Sequence, residues 1–107
     1  MEAASDNHKA NIDLVTAMGI EAIGSIMDYK RSLEAMIEGH QCQRIYEKKA
    51  DAEEDIVWIF RNIEGPGTFL WFCQVTGTNP EIIRRHVRRI KQEIRDIEAE
   101  VLTWRPR

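Results

Sequence analysis

The fold of this chain is decided by residues 65–104, GPGTFLWFCQVTGTNPEIIRRHVRRIKQEIRDIEAEVLTW. Its first three residues, Gly65–Gly67, end any preceding helix, because proline lacks the N–H donor and clashes with the turn before it. A nearly all-apolar segment follows and predicts a short helix over Phe69–Thr76. A turn over Gly77–Asn79 separates that helix from a long one, which is predicted over Pro80–Trp104.

Three signals agree on where the long helix begins. Asn79 is a favoured N-cap residue, Pro80 suits the first helical position, and Glu81 matches the positive end of the helix dipole. Thr68 is a cap of the same kind for the short helix. These residues predict two helices joined by a three-residue turn.

Apolar residues in the long helix recur at alternating spacings of four and three. The row consists of Ile83, Val87, Ile90, Ile94, Ile97, Val101 and Trp104. β-branched residues in both core positions over three heptads predict a coiled-coil seam, and isoleucine at the d-like positions disfavours a parallel dimer. The seam is therefore predicted to pack antiparallel, either on the N-terminal helices of the same chain or on a second copy. We expect a homo-oligomer that associates through it.

The N-terminal part of the chain predicts a long acidic helical hairpin over residues 8–63. Apolar residues recur there at helical spacing without an intervening proline. The first helix either ends or kinks at Gly39-His40, and the second is predicted over Gln41–Ile63. Within the first helix, Gly19 and Gly24 each cost roughly 1 kcal/mol relative to alanine where exposed. These glycines indicate either a close contact between the first helix and a neighbouring helix, or a locally less stable part of the first helix.

Length and composition favour a single all-α domain over residues 1–107: a long helical hairpin packed on a helix-turn-helix-like C-terminal unit with a coiled-coil-like last helix. The hydrophobic fraction is 43%, and there are only three prolines. No apolar run approaches the roughly 20 residues that span a bilayer, and the N-terminus does not resemble a secretory signal. Cys42 and Cys73 stand at no motif spacing, which fits a reducing compartment. We expect a cytoplasmic protein with no membrane contact.

The net charge of −3 is divided unevenly along the chain. Residues 1–65 hold 7 Lys/Arg against 13 Asp/Glu, a balance of −6, and residues 66–107 hold 8 against 5, a balance of +3. This division argues against nucleic-acid binding over the whole surface. It remains compatible with nucleic-acid binding by a local basic face, or with charge-paired packing between chains.

The arginine-rich side of the last helix is the main candidate site. With Gly77 as the turn glycine, the two C-terminal helices match a helix-turn-helix in part, although polar residues such as Thr76 and His86 stand where apolar ones are usual. Arginine suits a helix that enters a nucleic-acid groove, because its guanidinium can contact both phosphates and base edges. Alternatively, these arginines form a solvated face, or form ion pairs with the acidic half of another chain. The predicted nucleic-acid-binding residues are Thr78, Asn79, Arg84, Arg85, Arg88, Arg89 and Lys91.

Metal binding and catalysis have weaker support in the sequence. His40, Cys42, Cys73 and His86 have side chains that suit zinc, but their spacings match no zinc motif. No nucleophile has an evident base, and no glycine-rich phosphate loop is followed by Lys-Ser/Thr. We therefore expect no metal, no cofactor and no enzyme activity.

One stretch resembles a known group of proteins. The segment EEDIVWIFRNIEGPGTFLWFCQVTGTNPEIIRRHV, within about residues 53–88, is similar to small phage- and prophage-encoded helical proteins. The resemblance covers a third of the chain and implies a phage or mobile-element origin, a location in the host cytoplasm and a helix-turn-helix-like unit, but no specific activity. The matching residues are Trp58, Phe69, Phe72, Cys73, Gly77, Pro80, Arg84 and Arg85.

Three functions remain open from the sequence. The first is a non-enzymatic accessory or regulatory protein that binds DNA or RNA through the last helix. The second is an inhibitor or adaptor that binds a host enzyme or defence complex, and the third is a purely structural oligomer. The protein-binding surface of the second would comprise Glu47, Asp51, Glu53, Glu54, Asp55 and an exposed Trp58, although the simpler interpretation of Trp58, which lies off the main apolar row, is the edge of the core.

Overall fold

Residues 2–102 form four α-helices. The structure, a computed structural model, describes the backbone of residues 2–102 and the side chains of residues 13–102. Over this range the chain has no strand, so the predicted all-α class is confirmed. None of the helices described is long and apolar enough to cross a membrane. The helices are α1 (Glu2–Ile37), α2 (Ile45–Phe60), α3 (Phe69–Thr76) and α4 (Pro80–Val101).

The first two helices are separate and not one kinked helix. Gly39 has a φ of 96° and donates its N–H to the Met36 carbonyl at 3.1 Å. The N–H of His40 bonds to the Ala35 carbonyl at 3.0 Å. This pair of bonds is a Schellman motif, which ends a helix at a left-handed residue and therefore favours glycine.

The helices α1 and α2 form the predicted antiparallel hairpin. Near the start of α2, the Lys48 ammonium lies 3.1 Å from the Asp28 carboxylate and 3.1 Å from the Ser32 hydroxyl. Two turns later along α2, Asp55 is hydrogen-bonded to Ser25, which comes earlier in α1. The contacts therefore run backwards along α1 as α2 advances.

The second helix ends earlier than the sequence predicts. It was expected to reach Ile63, but the backbone leaves the helix after Phe60, and Arg61 is extended with φ −77° and ψ 131°. Ile63 is 51% exposed and so lies outside the core. The cause is tertiary, because the side chain of Arg84 binds the carbonyl groups at this helix end.

The predicted pair of C-terminal helices and its turn are confirmed within the described residues. Thr68 Oγ1 accepts a hydrogen bond from the Trp71 N–H at 3.2 Å, which caps α3. Gly77 has a φ of 70° and closes α3 in the left-handed conformation. Asn79 Oδ1 then accepts from the Glu81 N–H at 2.9 Å and caps α4. The predicted last residue of α4, Trp104, lies outside the described residues.

Aromatic side chains join α2 and α3. The ring of Trp58 stands edge-on to Phe69 at a centroid distance of 5.6 Å and lies 6.0 Å from Phe72. Its indole N–H donates to the Gly67 carbonyl at 2.8 Å. Trp58 is therefore a half-buried residue at the edge of the core, as its simpler interpretation predicts, and not the exposed contact residue of the protein-binding alternative. Among the described side chains, the buried apolar residues are Val15, Ala22, Ile26, Tyr29, Leu33, Ile45, Ala52, Ile59, Phe69, Phe72, Cys73, Val87 and Ile94.

The apolar row of α4 packs inside the chain. Val87 and Ile94 are 3% and 5% exposed, so the prediction of an oligomer seam is wrong for these two residues. Ile83, Ile90 and Ile97 are half-buried against the same core. Val101 is also half-buried, and Trp104 is not among the described residues.

Polar contacts fix the direction of α4. The carboxylate of Glu98 accepts a hydrogen bond from the Tyr29 hydroxyl in α1 and lies 3.8 Å from the Lys49 ammonium in α2. At the other end of α4, Arg84 reaches Ile59 near the end of α2. As a result α4 runs antiparallel to α2, as expected for one of the N-terminal helices, and in the same direction as α1. Burial and the Glu98 hydrogen bond both raise the pKa of Tyr29.

Candidate functional site

The outer side of α4 carries a row of cations, which we call the basic ridge. From Arg85 to Arg95 it covers ten residue steps, which correspond to about 15 Å of helix. Among the side chains described, Arg88 pairs with Glu81 at 3.9 Å, and the other four cations form no ion pair, although Lys91 and Arg95 border a cleft that also contains Glu53 and Glu98. Most of the positive charge is therefore available to a ligand. The basic ridge consists of Arg85, Arg88, Arg89, Lys91 and Arg95.

Two members of the basic ridge are held against α2. The guanidinium carbon of Arg88 lies 5.4 Å from the centroid of the Phe60 ring, and the Lys91 ammonium lies 5.1 Å from it. Both distances are typical of cation–π contacts. The last residue of α2 therefore orders one flank of the basic ridge.

Arg84 does not belong to this surface. It is 7% exposed, and its Nε donates to the Ile59 carbonyl at 2.9 Å. Its two terminal nitrogens donate to Asn62 Oδ1 at 3.0 Å and to the Arg61 carbonyl at 3.2 Å, and its guanidinium lies 5.2 Å from the Phe69 ring centroid. The prediction of Arg84 as a nucleic-acid contact is wrong, because its donors satisfy the carbonyl groups where α2 ends.

The two other residues predicted near base edges also have structural roles. Thr78 is half-buried, and its hydroxyl is 2.9 Å from that of Thr76, which in turn donates to the Phe72 carbonyl at 2.8 Å. Asn79 is exposed, but its side-chain oxygen caps α4. The surface that would read base edges is therefore largely engaged within the fold.

Arg95 extends the basic ridge beyond the predicted residues. It is exposed and stands seven residues after Arg88, which places both on the same side of α4. The spacing of Arg88 and Arg95 is evident in the sequence, but both arginine pairs lie in the first half of the helix, and the predicted residues end at Lys91. With Arg95 the basic ridge covers three turns.

Acidic side chains gather in an open cleft between α1 and α2 of about 900 Å³, which we call the acidic groove. Met18, Ala22, Gly24, Val57 and Trp58 contribute its less polar lining. The acidic residues that line it are Glu21, Asp28, Asp51, Glu54 and Asp55.

The structure divides the acidic residues that were predicted to bind protein. Asp51, Glu54 and Asp55 face the acidic groove. Glu47 pairs with Arg44 at 2.6 Å, and Glu53 borders a separate cleft between α2 and α4. Only three of the five predicted acids therefore share one surface.

Asp55 is the most perturbed acid of the groove. Burial raises its pKa, and the nearby carboxylates of Glu54, Asp51 and Glu21 raise it further, while a hydrogen bond from Ser25 acts in the opposite direction. A raised pKa in the folded state means that the ionised form of Asp55 costs stability. The acidic groove therefore carries more negative charge than its own neighbours offset.

We expect Asp55→Asn to raise the free energy of unfolding at pH 7 by about 0.2–0.5 kcal/mol, the size of one like-charge pair four residues apart in a helix. Because the folded pKa lies above the unfolded one, the penalty in the wild type disappears as the pH falls to the unfolded pKa. The advantage of the variant should therefore vanish near pH 3–4. Urea unfolding at both pH values measures this, with Glu47→Gln, which removes a paired acid, as the control. A variant less stable than the wild type at pH 7 would contradict the sign.

The cysteine and histidine residues do not form a common site. Cys42 lies half-buried in the connection between α1 and α2, whereas Cys73 is buried in α3 at the other end of the hairpin, where burial raises its thiol pKa. His40 and His86 are exposed on different elements. Among the side chains of residues 13–102, no three His, Cys, Asp or Glu are placed to hold a metal ion.

No protein-family model matches this chain, and no curated protein or solved structure is significantly similar to it. The resemblance to small phage-encoded helical proteins therefore stays a prediction. Two charged surfaces bear on function: the basic ridge of α4 and the acidic groove of the hairpin.

Proposed function

We propose that this protein is a non-enzymatic accessory or regulatory protein that binds nucleic acid through the basic ridge of α4. The supporting observation is a row of five cations along about 15 Å of helix; among the described side chains, Arg88 is the one member that forms an ion pair, with Glu81 at 3.9 Å. Guanidinium and ammonium groups are donors that bind phosphate oxygens strongly. The proposal keeps the phage-type origin and host-cytoplasm location that the resemblance implies.

The proposed contacts are to phosphates and not to base edges. Arg84 is engaged with the end of α2, and the side-chain oxygens of Thr78 and Asn79 are engaged in hydrogen bonds within the fold. The α3–turn–α4 unit is helix-turn-helix-like in its connectivity, but the residues at the start of its second helix are not free to read sequence. Contacts to phosphates position a protein without specifying a base sequence. Binding should therefore depend strongly on salt and weakly on sequence.

Removing charge from the basic ridge tests this function. The Arg85→Ala/Arg89→Ala double variant should weaken binding to a labelled 20-base-pair duplex by a similar factor for every sequence. Removing one phosphate-binding side chain should lower the slope of log K against log salt by about 1, so the slope should fall by about 2 in the double variant. Fluorescence anisotropy between 50 and 200 mM salt gives both quantities.

Arg31→Ala/Arg44→Ala is the matched control for that experiment. Both residues are exposed and lie outside the basic ridge, and their removal changes the net charge by the same amount. Binding by this control should be close to that of the wild type. An Arg85→Ala/Arg89→Ala variant with an unchanged salt slope, or a wild type that does not bind at 50 mM salt, would contradict the proposal.

A second candidate is a protein-binding inhibitor or adaptor that acts on a host enzyme or defence complex. The acidic groove favours it, because Asp51, Glu54 and Asp55 stand together above an open, partly apolar cleft. Such a surface suits a basic segment of a partner protein. Trp58 also lines this cleft, but it is half-buried, with its ring packed against α3 and its N–H bonded to Gly67.

A further inference from the structure

The two charged surfaces of this chain are complementary to one another. We propose that the protein self-associates head to tail, with the basic ridge of one copy docked in the acidic groove of the next. This contact goes beyond the proposed function, since its partner is a second copy and not nucleic acid. It rests on the charge, span and placement of both surfaces.

The acidic groove is open enough to receive a helix. A Cβ on Gly24 would meet no atom within 4 Å, and Val57 is 52% exposed. These residues give the groove a lining that a helix can cover with its side-chain stems. The groove has a volume of about 900 Å³ and is open to solvent.

The charges of the groove are also largely uncompensated. Among the side chains described, Glu21, Asp51 and Glu54 form no ion pair, and Asp28 pairs with Lys48. Five acids line the groove, and Arg61 is its one basic lining residue. A basic helix is therefore the complementary ligand, and the basic ridge supplies five cations.

The acids of the groove can face part of the basic ridge. They span residues 21–28 of α1 and 51–55 of α2, seven and four residue steps, or about 10 and 6 Å of helix. The basic ridge covers residues 85–95 of α4, ten steps or about 15 Å. The acidic stretches are shorter than the ridge, so several of its cations, but not all of them, can face an acid at one time.

Their placement decides the form of the assembly. The acidic groove lies between α1 and α2, whereas the basic ridge lies along α4, which the buried Val87 and Ile94 anchor to the core. The helix α4 of one chain therefore cannot enter the groove of the same chain. A contact between different surfaces of identical copies is heterologous, so it continues into a chain of copies unless the rotation closes a ring.

Charge, and not the apolar row of α4, therefore governs this association. Val87 and Ile94 are buried inside the chain and are not available to a second copy. Ion pairs between exposed side chains are individually weak and are screened by salt. We accordingly expect assembly at high protein concentration and low ionic strength.

Sedimentation velocity of three proteins tests this contact. At 50 mM salt the wild type should grow beyond a dimer as its concentration rises to about 1 mM, and at 500 mM salt it should return to a 12.5 kDa monomer. A groove variant, Asp51→Asn/Glu54→Gln, and a ridge variant, Arg85→Gln/Arg89→Gln, should each associate at least tenfold more weakly than the wild type. Circular dichroism confirms that both remain folded.

An equimolar mixture of the two variants gives the decisive result. The groove variant keeps an intact ridge and the ridge variant keeps an intact groove, so one complementary contact forms between them. The mixture should yield a 1:1 dimer that grows further only weakly, because each of the two surfaces left over has lost two of its five charges.

Three results would overturn the proposal. They are a wild type that stays monomeric at 50 mM salt, a mixture that does not dimerise, and association that both variants retain at 500 mM salt. The groove variant should keep its affinity for duplex DNA, since its ridge is intact. Self-association that fails while DNA binding persists therefore removes this inference alone, and the reverse removes the proposed function alone.

Discussion

Replacing Arg84 by alanine is expected to lower the free energy of unfolding by about 2–4 kcal/mol, because the variant removes a buried group with several charge-assisted hydrogen bonds. Its guanidinium donates to the Ile59 and Arg61 carbonyls and to Asn62 Oδ1, and it covers the Phe69 ring. The variant leaves those acceptors without their donor and opens a cavity beside Phe69. For a domain of this size the midpoint of thermal unfolding should fall by roughly 10 °C or more.

Two further variants make this prediction specific. Arg84→Lys should recover little of the stability, because a single ammonium cannot reproduce the planar, multi-donor geometry of a guanidinium. Arg85→Ala, at the exposed neighbouring residue, should change stability by no more than about 0.5 kcal/mol. Urea unfolding of the three variants gives the comparison. An Arg84→Ala protein as stable as the Arg85→Ala protein would contradict the structural role of Arg84.

The different roles of these two neighbours show what the sequence could predict. Arg84 and Arg85 are chemically identical, and the apolar row places Arg84 only at the edge of the buried side of α4, next to Val87. Its burial depends on where α2 ends, which is a contact between residues 22 to 25 positions apart. No local pattern encodes that distance. The same contact explains why α2 stops at Phe60 and not at Ile63.

The elements whose signals are local were predicted well. The bounds of α3 agree with the prediction, Phe69–Thr76, because Thr68 and Gly77 act on backbone groups within five residues of themselves. The start of α4 at Pro80 follows from the Asn79 cap in the same way. Such signals require no knowledge of the tertiary fold.

The acidic groove could not be predicted from the sequence, although the sequence shows every acidic residue that lines it. Its acids come from two helices, and they face each other only because the register of the hairpin brings Ser25 to Asp55 and Asp28 to Lys48. That register depends on the length of the connection after Gly39 and on the packing of the core. A chain with one more residue in the connection would present a different set of acids.

The second large effect concerns two glycines of α1 that look alike in the sequence. We expect Gly19→Ala to lower the free energy of unfolding by about 1–3 kcal/mol, the cost of overfilling a packed core. A Cβ at this position would overlap the ring of Phe72, which is 7% exposed and packed against Trp58 and Phe69. The ring therefore has little room to move away.

Gly24→Ala is the matched control and should have the opposite sign. A Cβ there meets no atom within 4 Å, and its backbone is helical. Alanine should therefore raise the free energy of unfolding by up to about 1 kcal/mol through its better helix propensity. Urea unfolding of both single variants measures the difference, and two changes of equal sign would contradict the contact between Gly19 and Phe72.

A double variant separates the clash at Gly19 from helix propensity. Phe72→Leu removes the ring that the new methyl group would meet, so the cost of Gly19→Ala should be smaller in that background than in the wild type. Residues in direct contact show interaction energies of about 0.5–3 kcal/mol in such a cycle. Gly24→Ala should combine additively with Phe72→Leu, because no contact links them. A purely additive Gly19–Phe72 cycle would mean that α3 does not pack on α1 at this glycine.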